Sequence, residues 1–281
     1  MRKARETKHH TGLKVVAATV LLCAAMTADS AFRLTVSRYE EYSSRLPESF
    51  DGFKIVQLSD LHGAQFGENN SRLVEKVAAL EPDIIALTGD YFDDQSNLDV
   101  MENLCRQLVG IAPVYFISGN HDWASGLVDE AAEMMEKVGV RYLRNEYETL
   151  TRGDEEIVIA GVEDPNSWAV MTKPDELVSE IREDHPGNFT ILLGHRNDWP
   201  EKYPRLDVDI ILSGHGHGGI IRLPFVGGVI GTGRQLFPKY DAGEFRSGSY
   251  TMIVSRGLGG SVIPRFLNNP DIVLITLNTT K

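Results

Sequence analysis

The chain has 281 residues, of which 42% are hydrophobic and 24% are charged, a balance typical of a globular body with a sizeable core. Its formal net charge of −12 excludes a nucleic-acid scaffold, which would carry a basic stripe, so any anionic substrate must be attracted by local positive charge. The two cysteines, Cys23 and Cys105, lie in an apolar run and in a helical pattern. They supply neither a disulfide framework nor a cysteine-based zinc site.

Residues 1–32 are predicted to be a targeting or anchoring segment outside the folded domain. An apolar run, Val15 to Met26, follows a set of basic residues: Arg2, Lys3, Arg5, Lys8 and Lys14. This is the layout of the n- and h-regions of a signal peptide. The run is shorter than the roughly 20 residues of a full span, and no clear small-residue cleavage site follows it. We favour an uncleaved signal-anchor; a removed signal peptide and a basic tail before a cytosolic enzyme are the alternatives.

The basic flank also predicts the topology, because positive charge stays on the cytoplasmic side of a membrane. An anchored chain would cross the membrane once and carry its catalytic domain outside the cytoplasm, whereas a cleaved chain would be secreted. We expect residues 33–52 to form a polar connector and residues 53–281 to form one domain.

From residue 54 onward, the chain repeats a strand–loop–helix unit. Apolar runs predict strands at 55–58, 84–87, 114–117, 157–160, 190–193, 210–212, 252–254 and 272–277. Amphipathic patterns between the first motifs, and a segment near 174–182, predict helices. This alternation indicates an α/β domain whose loops gather at the carboxyl ends of the strands, where open α/β sheets bind ligands.

Five motifs follow these strands in a fixed order, and each is built from groups that bind divalent metals. They are Asp60-Leu-His62, Gly89-Asp90-Tyr-Phe-Asp93, Gly119-Asn120-His121-Asp122, Gly194-His195 and Gly214-His215-Gly-His217. Oxygen and imidazole ligands with almost no cysteine suit hard or borderline metals that activate water. The sequence therefore predicts a metal-dependent hydrolase of phosphoesters.

The ordered motifs resemble the calcineurin-like metallophosphoesterase superfamily over roughly residues 53 to 220. Stretches at 46–56, 218–224 and 255–259 are further similar to the membrane-associated bacterial branch of that superfamily. The resemblance implies an α/β fold, a four-layer α/β-β/α sandwich of two mixed sheets flanked by helices, with a bimetal centre at the strand ends.

The resemblance also implies a role for each motif residue around two divalent ions, which would be Mn, Fe or Zn. One ion would be bound by Asp60, His62 and His217, the other by Asn120, His195 and His215, and Asp90 would bridge them. A metal-bridging hydroxide would attack phosphorus in line. His121 would assist at the phosphate or leaving group, and Asp122 would orient its ring. Asp93 would shape the loop or support a ligand, and Arg256 is the candidate contact for a substrate phosphate.

The chain departs from the branch beside two of the predicted ligands. Arg196 follows His195 where a proline is common nearby, and Gly216 stands where a hydroxyl residue is commoner. Phosphodiesters or phosphomonoesters are the expected substrates of a membrane-tethered enzyme. A pyrophosphatase of a lipid-linked nucleotide is an alternative, and a non-catalytic binding module on the same fold is a weaker one. The natural substrate and the oligomeric state stay open.

Overall fold

A computed structural model of the chain describes residues 2–93, 98–167, 173–260 and 263–280, with side chains from residue 14 onward. The helices are α1 (Arg2–Phe32), α2 (Ser71–Ala78), α3 (Leu98–Val109), α4 (Asn120–Ser125), α5 (Val128–Val138), α6 (Pro174–Asp184) and α7 (Trp199–Lys202). The strands of the first half are β1 (Thr35–Ser43), β2 (Phe53–Leu58), β3 (Ile84–Thr88), β4 (Val114–Ile117), β5 (Arg141–Tyr142) and β6 (Glu146–Arg152). Those of the second half are β7 (Glu155–Gly161), β8 (Thr190–Leu193), β9 (Ile210–Ser213), β10 (Arg222–Leu223), β11 (Gly227–Gly228), β12 (Gly243–Ser247), β13 (Tyr250–Val254) and β14 (Asp271–Thr279).

Most of these strands belong to two six-stranded mixed sheets. The first sheet has the order β1-β14-β2-β3-β4-β5, and the second has the order β12-β13-β9-β8-β7-β6. Parallel pairing joins β2, β3 and β4 in the first sheet and β7, β8 and β9 in the second. Strands β10 and β11 form a separate antiparallel hairpin.

The two sheets pack face to face, and helices cover their outer faces. The core between the sheets contains side chains of both, such as Ile55 of the first sheet and Leu212 of the second. Helices α2, α3 and α5 pack on the outer face of the first sheet, and α6 and α7 pack on that of the second. The predicted four-layer α/β-β/α sandwich is confirmed.

Helix α3 illustrates how the sequence forms these layers. Met101, Leu104, Cys105 and Leu108 recur at intervals of three and four residues, so they lie on one stripe of the helix, and all are buried. This stripe packs in the cluster that contains the outer face of the first sheet. Cys105 therefore lies in a helix, as its sequence pattern predicted, and belongs to the core.

The connector predicted over residues 33–52 is wrong in its first half, because Thr35–Ser43 form β1. This strand pairs in parallel with β14 over its whole length, and its first residue is 236 positions from its partner Asp271. Charged residues such as Arg38, Glu40 and Glu41 made the segment look like a polar linker. Its side chains are only half-buried or exposed, as in an edge strand with one face toward solvent.

Helix α1 precedes β1 and contains the apolar N-terminal run. Its stretch Lys14–Phe32 has 19 residues and a mean hydropathy of 1.8, so it is long and apolar enough to cross a membrane. The helix exceeds the run counted from the sequence because small and polar residues after Met26 continue it. Large apolar side chains along it are exposed, including Leu21 at 71%. A signal sequence and a membrane anchor both have this form.

Candidate metal centre

The loops after five strands meet at the carboxyl ends of the parallel strands. Asp60, Asp90, His195 and His215 each lie two residues beyond the last residue of β2, β3, β8 and β9, respectively. Because parallel strands end at the same edge of a sheet, this regular spacing gathers their side chains in one crevice.

The predicted ligands form two groups that share one carboxylate. The groups are Asp60, His62, Asp90 and His217, and Asp90, His195 and His215; within each, one ligand atom per residue lies within 4.8 Å of the others. The remaining predicted ligand, Asn120, begins α4. Its side-chain oxygen is buried and has no hydrogen-bond partner within the described part of the chain. The shared position of Asp90 is the central geometric feature of the site.

In the first group, the nitrogen and oxygen atoms lie so close together that no placement of protons gives each of them a hydrogen-bond partner. His62 Nε2 lies 3.1 Å from His217 Nε2 and 3.7 Å from Asp90 Oδ2. His217 Nε2 is 3.4 Å from Asp60 Oδ1. Two imidazole lone pairs that face each other at this distance repel unless a cation or a proton lies between them. The donor set therefore fits a divalent ion.

In the second group, a backbone carbonyl determines which nitrogen of His195 is available. His195 Nδ1–H donates to the Thr88 carbonyl at 2.8 Å, which leaves the lone pair of the neutral ring on Nε2. That Nε2 atom is buried, makes no hydrogen bond to the described residues and lies 3.1 Å from Asp90 Oδ2. The ring is thus oriented with Nε2 toward Asp90 Oδ2, the same oxygen that His62 Nε2 approaches to 3.7 Å.

The charges of the site also suit divalent cations. Asp60 and Asp90 are buried carboxylates, with exposures of 0% and 1%. Against the effect of burial, Asp90 raises the pKa of His195 to about 10, so a proton on that ring balances the carboxylate when no cation is bound. Burial, together with the charges of His195 and Arg196, lowers the pKa of His215 to about 3 and keeps that ring neutral. Metal binding to such a site displaces protons from its ligands.

The backbone at these positions is held in an uncommon conformation. Asp60, His62, Asp90, His215 and His217 all have φ between 45° and 65°, in the left-handed region. Residues other than glycine visit this region rarely and at a cost of about 1 kcal/mol or more, and such residues concentrate at functional sites. The fold therefore accepts local strain that directs these side chains inward.

Two glycines let the loops approach the carboxylates. A Cβ atom at Gly119 would collide with the side chain of Asp90, and one at Gly214 would collide with Ser59 and Asp60. The close approach also allows backbone N–H groups to hold the carboxylates. His121 N–H donates to Asp90 Oδ1 at 2.8 Å, and His215 N–H donates to Asp60 Oδ1 at 3.0 Å.

The prediction that Asp122 orients the ring of His121 is wrong. His121 Nδ1 instead lies 3.0 Å from Asp93 Oδ1, and the same carboxylate lies 3.2 Å from His62 Nδ1. Asp93 therefore holds two imidazoles, which agrees with its expected supporting position. The spacing Gly-Asp-x-x-Asp contained this signal, but only the folded loop shows which rings the second carboxylate reaches.

Asp122 is instead a buried acceptor for the backbone. Its Oδ2 accepts the N–H groups of Gly119 and Asp90 at 2.7 and 2.8 Å, and its Oδ1 accepts those of Tyr91 and Phe92 at 2.8 Å each. Burial and the nearby Asp90 raise the pKa of Asp122 to about 7, against these N–H groups, which lower it. Since each oxygen accepts two N–H bonds, we assign the ionised form. Asp122 thus fixes the two loops that carry Asp90 and Asn120.

The structure pairs Arg256, the candidate phosphate contact, with a carboxylate, and it places another arginine beside the second group of ligands. Arg256 is paired with Asp271, with Nη2 at 2.8 Å from Oδ1, and donates to Thr35 Oγ1, so it ties β1 to β14. Arg196 is paired with the buried Asp164 through Nε and Nη2, and its Nη1 lies 3.2 Å from His215 Nε2. The sequence distinguishes Arg196 only as a departure from the pattern of the resembling branch, because its partner Asp164 lies outside every motif.

Comparison with known proteins places the chain in a family. The model of the calcineurin-like phosphoesterase family matches residues 53–219. The chain is 34% identical over 248 residues to an uncharacterised metallophosphoesterase of Bacillus subtilis, YkuE, covering 85% of this chain and 83% of that protein. It is 32% identical over 274 residues to an uncharacterised metallophosphoesterase of Aquifex aeolicus, with coverages of 92% and 97%. The phosphodiesterase YaeI of Escherichia coli is 28% identical over 233 residues, with coverages of 80% and 82%.

The chain therefore belongs to the calcineurin-like phosphoesterase family and is a metal-dependent hydrolase of phosphoric esters. Its His and Asp clusters agree with a divalent metal centre.

Proposed function

We propose that the chain binds two divalent ions and hydrolyses phosphodiesters or phosphomonoesters at the surface of a membrane. The observation that carries this proposal is the position of Asp90, which belongs to both groups of converging ligand atoms. One ion is assigned to the group with Asp60, His62 and His217, and the other to the group with His195 and His215. Asn120 completes the second group, because its buried oxygen has no hydrogen-bond partner among the residues that the structure describes.

Two such ions, which Mn, Fe or Zn would satisfy, would polarise the phosphoryl oxygens and lower the pKa of bound water. The side chains of the protein supply the remaining functions. Asp93 holds His121 through Nδ1, so the opposite nitrogen, Nε2, is free to interact with the phosphate or the leaving oxygen. The imidazole of His121 is half exposed, at 50%, which suits a group that must meet a substrate from solvent.

Arg196 is proposed as the contact for a substrate phosphate. Its bidentate pair with Asp164, whose side chain is 0% exposed, fixes the guanidinium while Nη1 remains directed at the second group. Because Asp164 accepts from Nε and Nη2, the fixed guanidinium keeps the N–H groups of Nη1 as charged donors for a phosphate oxygen. Arg196 replaces Arg256 in this role.

We infer that α1 tethers this domain to the membrane. Its exposed apolar stretch supports an anchor, and the basic residues before it support a single crossing with the catalytic domain outside the cytoplasm. The N-terminal segment, residues 1–32, would then be a signal-anchor, and cleavage would release a secreted enzyme. A phosphodiester is favoured as the substrate because a relative is named a phosphodiesterase.

The test is a substrate panel on the full chain, stripped of metal and reconstituted with Mn²⁺, Fe²⁺ or Zn²⁺. Bis(p-nitrophenyl) phosphate, p-nitrophenyl phosphate and a nucleotide pyrophosphate represent diesters, monoesters and pyrophosphates. We expect hydrolysis of the diester, and a loss of roughly 10³-fold in Asp90→Asn, since several kcal/mol of transition-state stabilisation depend on the ions. The matched control is Asp154→Asn, on the exposed β6–β7 turn.

Unchanged hydrolysis in Asp90→Asn would remove the catalytic assignment. Preference for the pyrophosphate would instead support the lipid-linked nucleotide alternative. A folded wild-type chain that binds metal but hydrolyses none of the three substrates would indicate a binding module.

A further inference from the structure

Two consecutive hairpins after His217 expose large apolar side chains. Strands β10 and β11 form the first hairpin, with its tip at residues 224–226. The second is closed by the bridge between Ile230 and Leu236 and by the bond from Phe237 N–H to the Val229 carbonyl at 2.9 Å. The exposed side chains, here called the apolar rim, are Leu223, Phe225, Val226, Leu236 and Phe237. The side chain of Phe225 is fully exposed, and those of Leu236 and Phe237 are exposed at 68% and 61%.

Such a concentration of exposed aromatic and aliphatic side chains marks an interaction surface more often than an ordinary surface loop. The second hairpin also carries the exposed Arg234 near its tip. A basic residue beside inserted phenylalanine and leucine side chains matches the boundary between anionic headgroups and acyl chains.

The apolar rim is connected directly to the end of α1. The segment 266–269 pairs with the first hairpin, because Arg222 N–H donates to the Phe266 carbonyl at 3.0 Å. The same segment contacts the last turn of α1, where Asn269 Nδ2 donates to the Asp29 carbonyl at 2.8 Å and Asn268 N–H lies 3.3 Å from Ser30 Oγ. The apolar rim is therefore joined by one short segment to the helix that would leave the domain to enter the membrane.

The metal centre is part of the same arrangement. Asn268 Nδ2 donates to the carbonyl of His217, a predicted ligand, at 2.7 Å, and to that of Ile220 at 3.0 Å. Among the described residues, a cavity of about 250 Å³ lies between the last turns of α1 and the loop after His62, lined by Thr27, Ala31, Phe32, Phe66 and Leu258 among others. Leu258 N–H in turn donates to the carbonyl of Ser59, next to Asp60. The end of α1 and the apolar rim thus adjoin loops of the metal centre.

We propose that the apolar rim inserts into the same bilayer that α1 crosses, and so holds the metal centre at the level of the lipid headgroups. The consequence is that the substrates are phosphoesters carried by membrane lipids, and this consequence rests on the proposed function. The occupant of the rim is a lipid surface and not a second copy of the chain, because the rim continues into the candidate membrane span.

The test uses the full chain in vesicles of phosphatidylcholine and phosphatidylglycerol. Val226→Cys, in a Cys23→Ser background, is labelled with an environment-sensitive fluorophore, and lipids with a nitroxide on the acyl chain serve as quenchers. Cys105 is buried and its thiol pKa is raised to about 12, so it does not compete for the label. We expect strong quenching at position 226, little quenching for Asp154→Cys, and loss of the quenching at 226 when Phe225→Ser is added.

A label at 226 that acyl-chain nitroxides do not quench would overturn the proposal. If that label instead shows energy transfer between chains that rises with the protein-to-lipid ratio, the rim binds a second copy and the proposal is also overturned.

Activity separates this inference from the proposed function. The double variant Phe225→Ser with Phe237→Ser should hydrolyse a chromogenic phosphodiester on an acyl chain in the vesicles roughly tenfold more slowly, because two apolar contacts with the bilayer are lost. Its rate on soluble bis(p-nitrophenyl) phosphate should match the wild type. If the wild type hydrolyses neither the diesters nor p-nitrophenyl phosphate while nitroxide quenching persists, the proposed function is wrong and the docking surface stands. If it cleaves that diester and quenching is absent, only the docking surface is wrong.

Discussion

The two sheets contribute different chemistry to the candidate metal centre. The loops of the first sheet supply both carboxylates, the amide and one imidazole: Asp60, Asp90, Asn120 and His62. The loops of the second supply only imidazoles: His195, His215 and His217. Two buried carboxylates of the first layer need positive charge, and the second layer offers only the proton on His195, so neither layer alone forms a balanced site. Bound ions would therefore link the two halves of the sandwich.

Hydrogen bonds already cross between the same layers. His215 N–H donates to Asp60 Oδ1 at 3.0 Å, His195 Nδ1–H donates to the Thr88 carbonyl at 2.8 Å, and Gln57 Nε2 donates to the Ser213 carbonyl at 2.9 Å. The ligands are thus preorganised by the protein itself. Bound ions would therefore add charge balance and stability to a site whose geometry the sheets already determine.

The greatest loss of activity and of bound metal is expected when one imidazole is removed from either layer. His62→Ala and His215→Ala should each retain about one ion where the wild type retains two, and each should lose roughly 10³-fold in diester hydrolysis. Elemental analysis of the dialysed proteins, together with initial rates, measures both effects. Full retention of two ions in either variant would contradict the assignment of that histidine.

Asp122→Ala tests a contact that lies wholly within the first layer. Four backbone N–H groups would lose their acceptor, and at about 1 kcal/mol for each unsatisfied donor we expect a loss of about 3 kcal/mol or more in the free energy of unfolding. Urea denaturation measures this loss. Asp122→Asn keeps one carbonyl oxygen as an acceptor, so its free energy of unfolding should lie between those of Asp122→Ala and the wild type. Equal stability of all three proteins would refute the role assigned to Asp122.

Metal removal tests whether the ions link preformed layers. Each ion that binds only the folded state and is present at a hundred times its Kd adds about 2.7 kcal/mol, so two ions add about 5.4 kcal/mol and chelation should lower the Tm by roughly 10–20 °C. The far-ultraviolet circular dichroism should stay unchanged at 25 °C, because hydrogen bonds between the sheets remain. Unfolding of the chelated protein at this temperature would show that the ions build the geometry.

The two arginines provide a matched pair with opposite expectations. Arg196→Gln should raise KM for the diester about tenfold, equivalent to about 1.4 kcal/mol of binding free energy. The reason is that the substitution removes a fixed guanidinium from beside the second group of ligands. Arg256→Gln should leave the kinetics unchanged while lowering the unfolding free energy, since it breaks the tie between β1 and β14. The reverse pattern in steady-state kinetics would restore Arg256 as the phosphate contact.

The smallest change in stability is expected at a contact between β1 of the first sheet and β13 of the second. Thr251 Oγ1 of β13 lies 3.1 Å from Glu41 Oε1, and burial raises the pKa of this carboxyl. Because the pKa of the Glu41 carboxyl is higher in the folded than in the unfolded state, folding favours its protonated form. The stability that this carboxyl contributes is present at low pH and is lost as the pH rises through the folded pKa. Glu41→Gln should therefore stabilise the protein at pH 7 by up to about 1 kcal/mol. Thermal unfolding should show this advantage shrink toward pH 4, and an advantage that grows on acidification would reject the assignment.

Much of the architecture followed from local patterns. Apolar runs of the right length predicted most strands of both sheets, and the motifs at their ends predicted the edge of the sheets at which the ligand side chains gather. The strand β1 escaped detection because its pairing depends on β14, more than two hundred residues away, and not on its own polar sequence. A parallel edge strand with alternating half-buried side chains has little local signal.

At the site, residue type was predictable and contacts were not. Asp93 and Asp122 are both carboxylates inside motifs, and only the backbone path determines that one meets imidazoles and the other meets amides. The left-handed φ angles of the ligand residues are likewise invisible in a sequence, because no glycine marks them. Arg196 depends on Asp164, which no motif contains, whereas Arg256 among glycines looked available and is already paired.

The position of β14 constrains how the chain is made. This strand lies between β1 and β2, so it completes a sheet whose other members are synthesised much earlier. Until β14 has left the ribosome, β1 and β2 lack their shared neighbour, and their unpaired edges would be open to wrong pairing. The first sheet, and with it the support for the loops that carry Asp60 and Asp90, is therefore complete only after β14 has been synthesised.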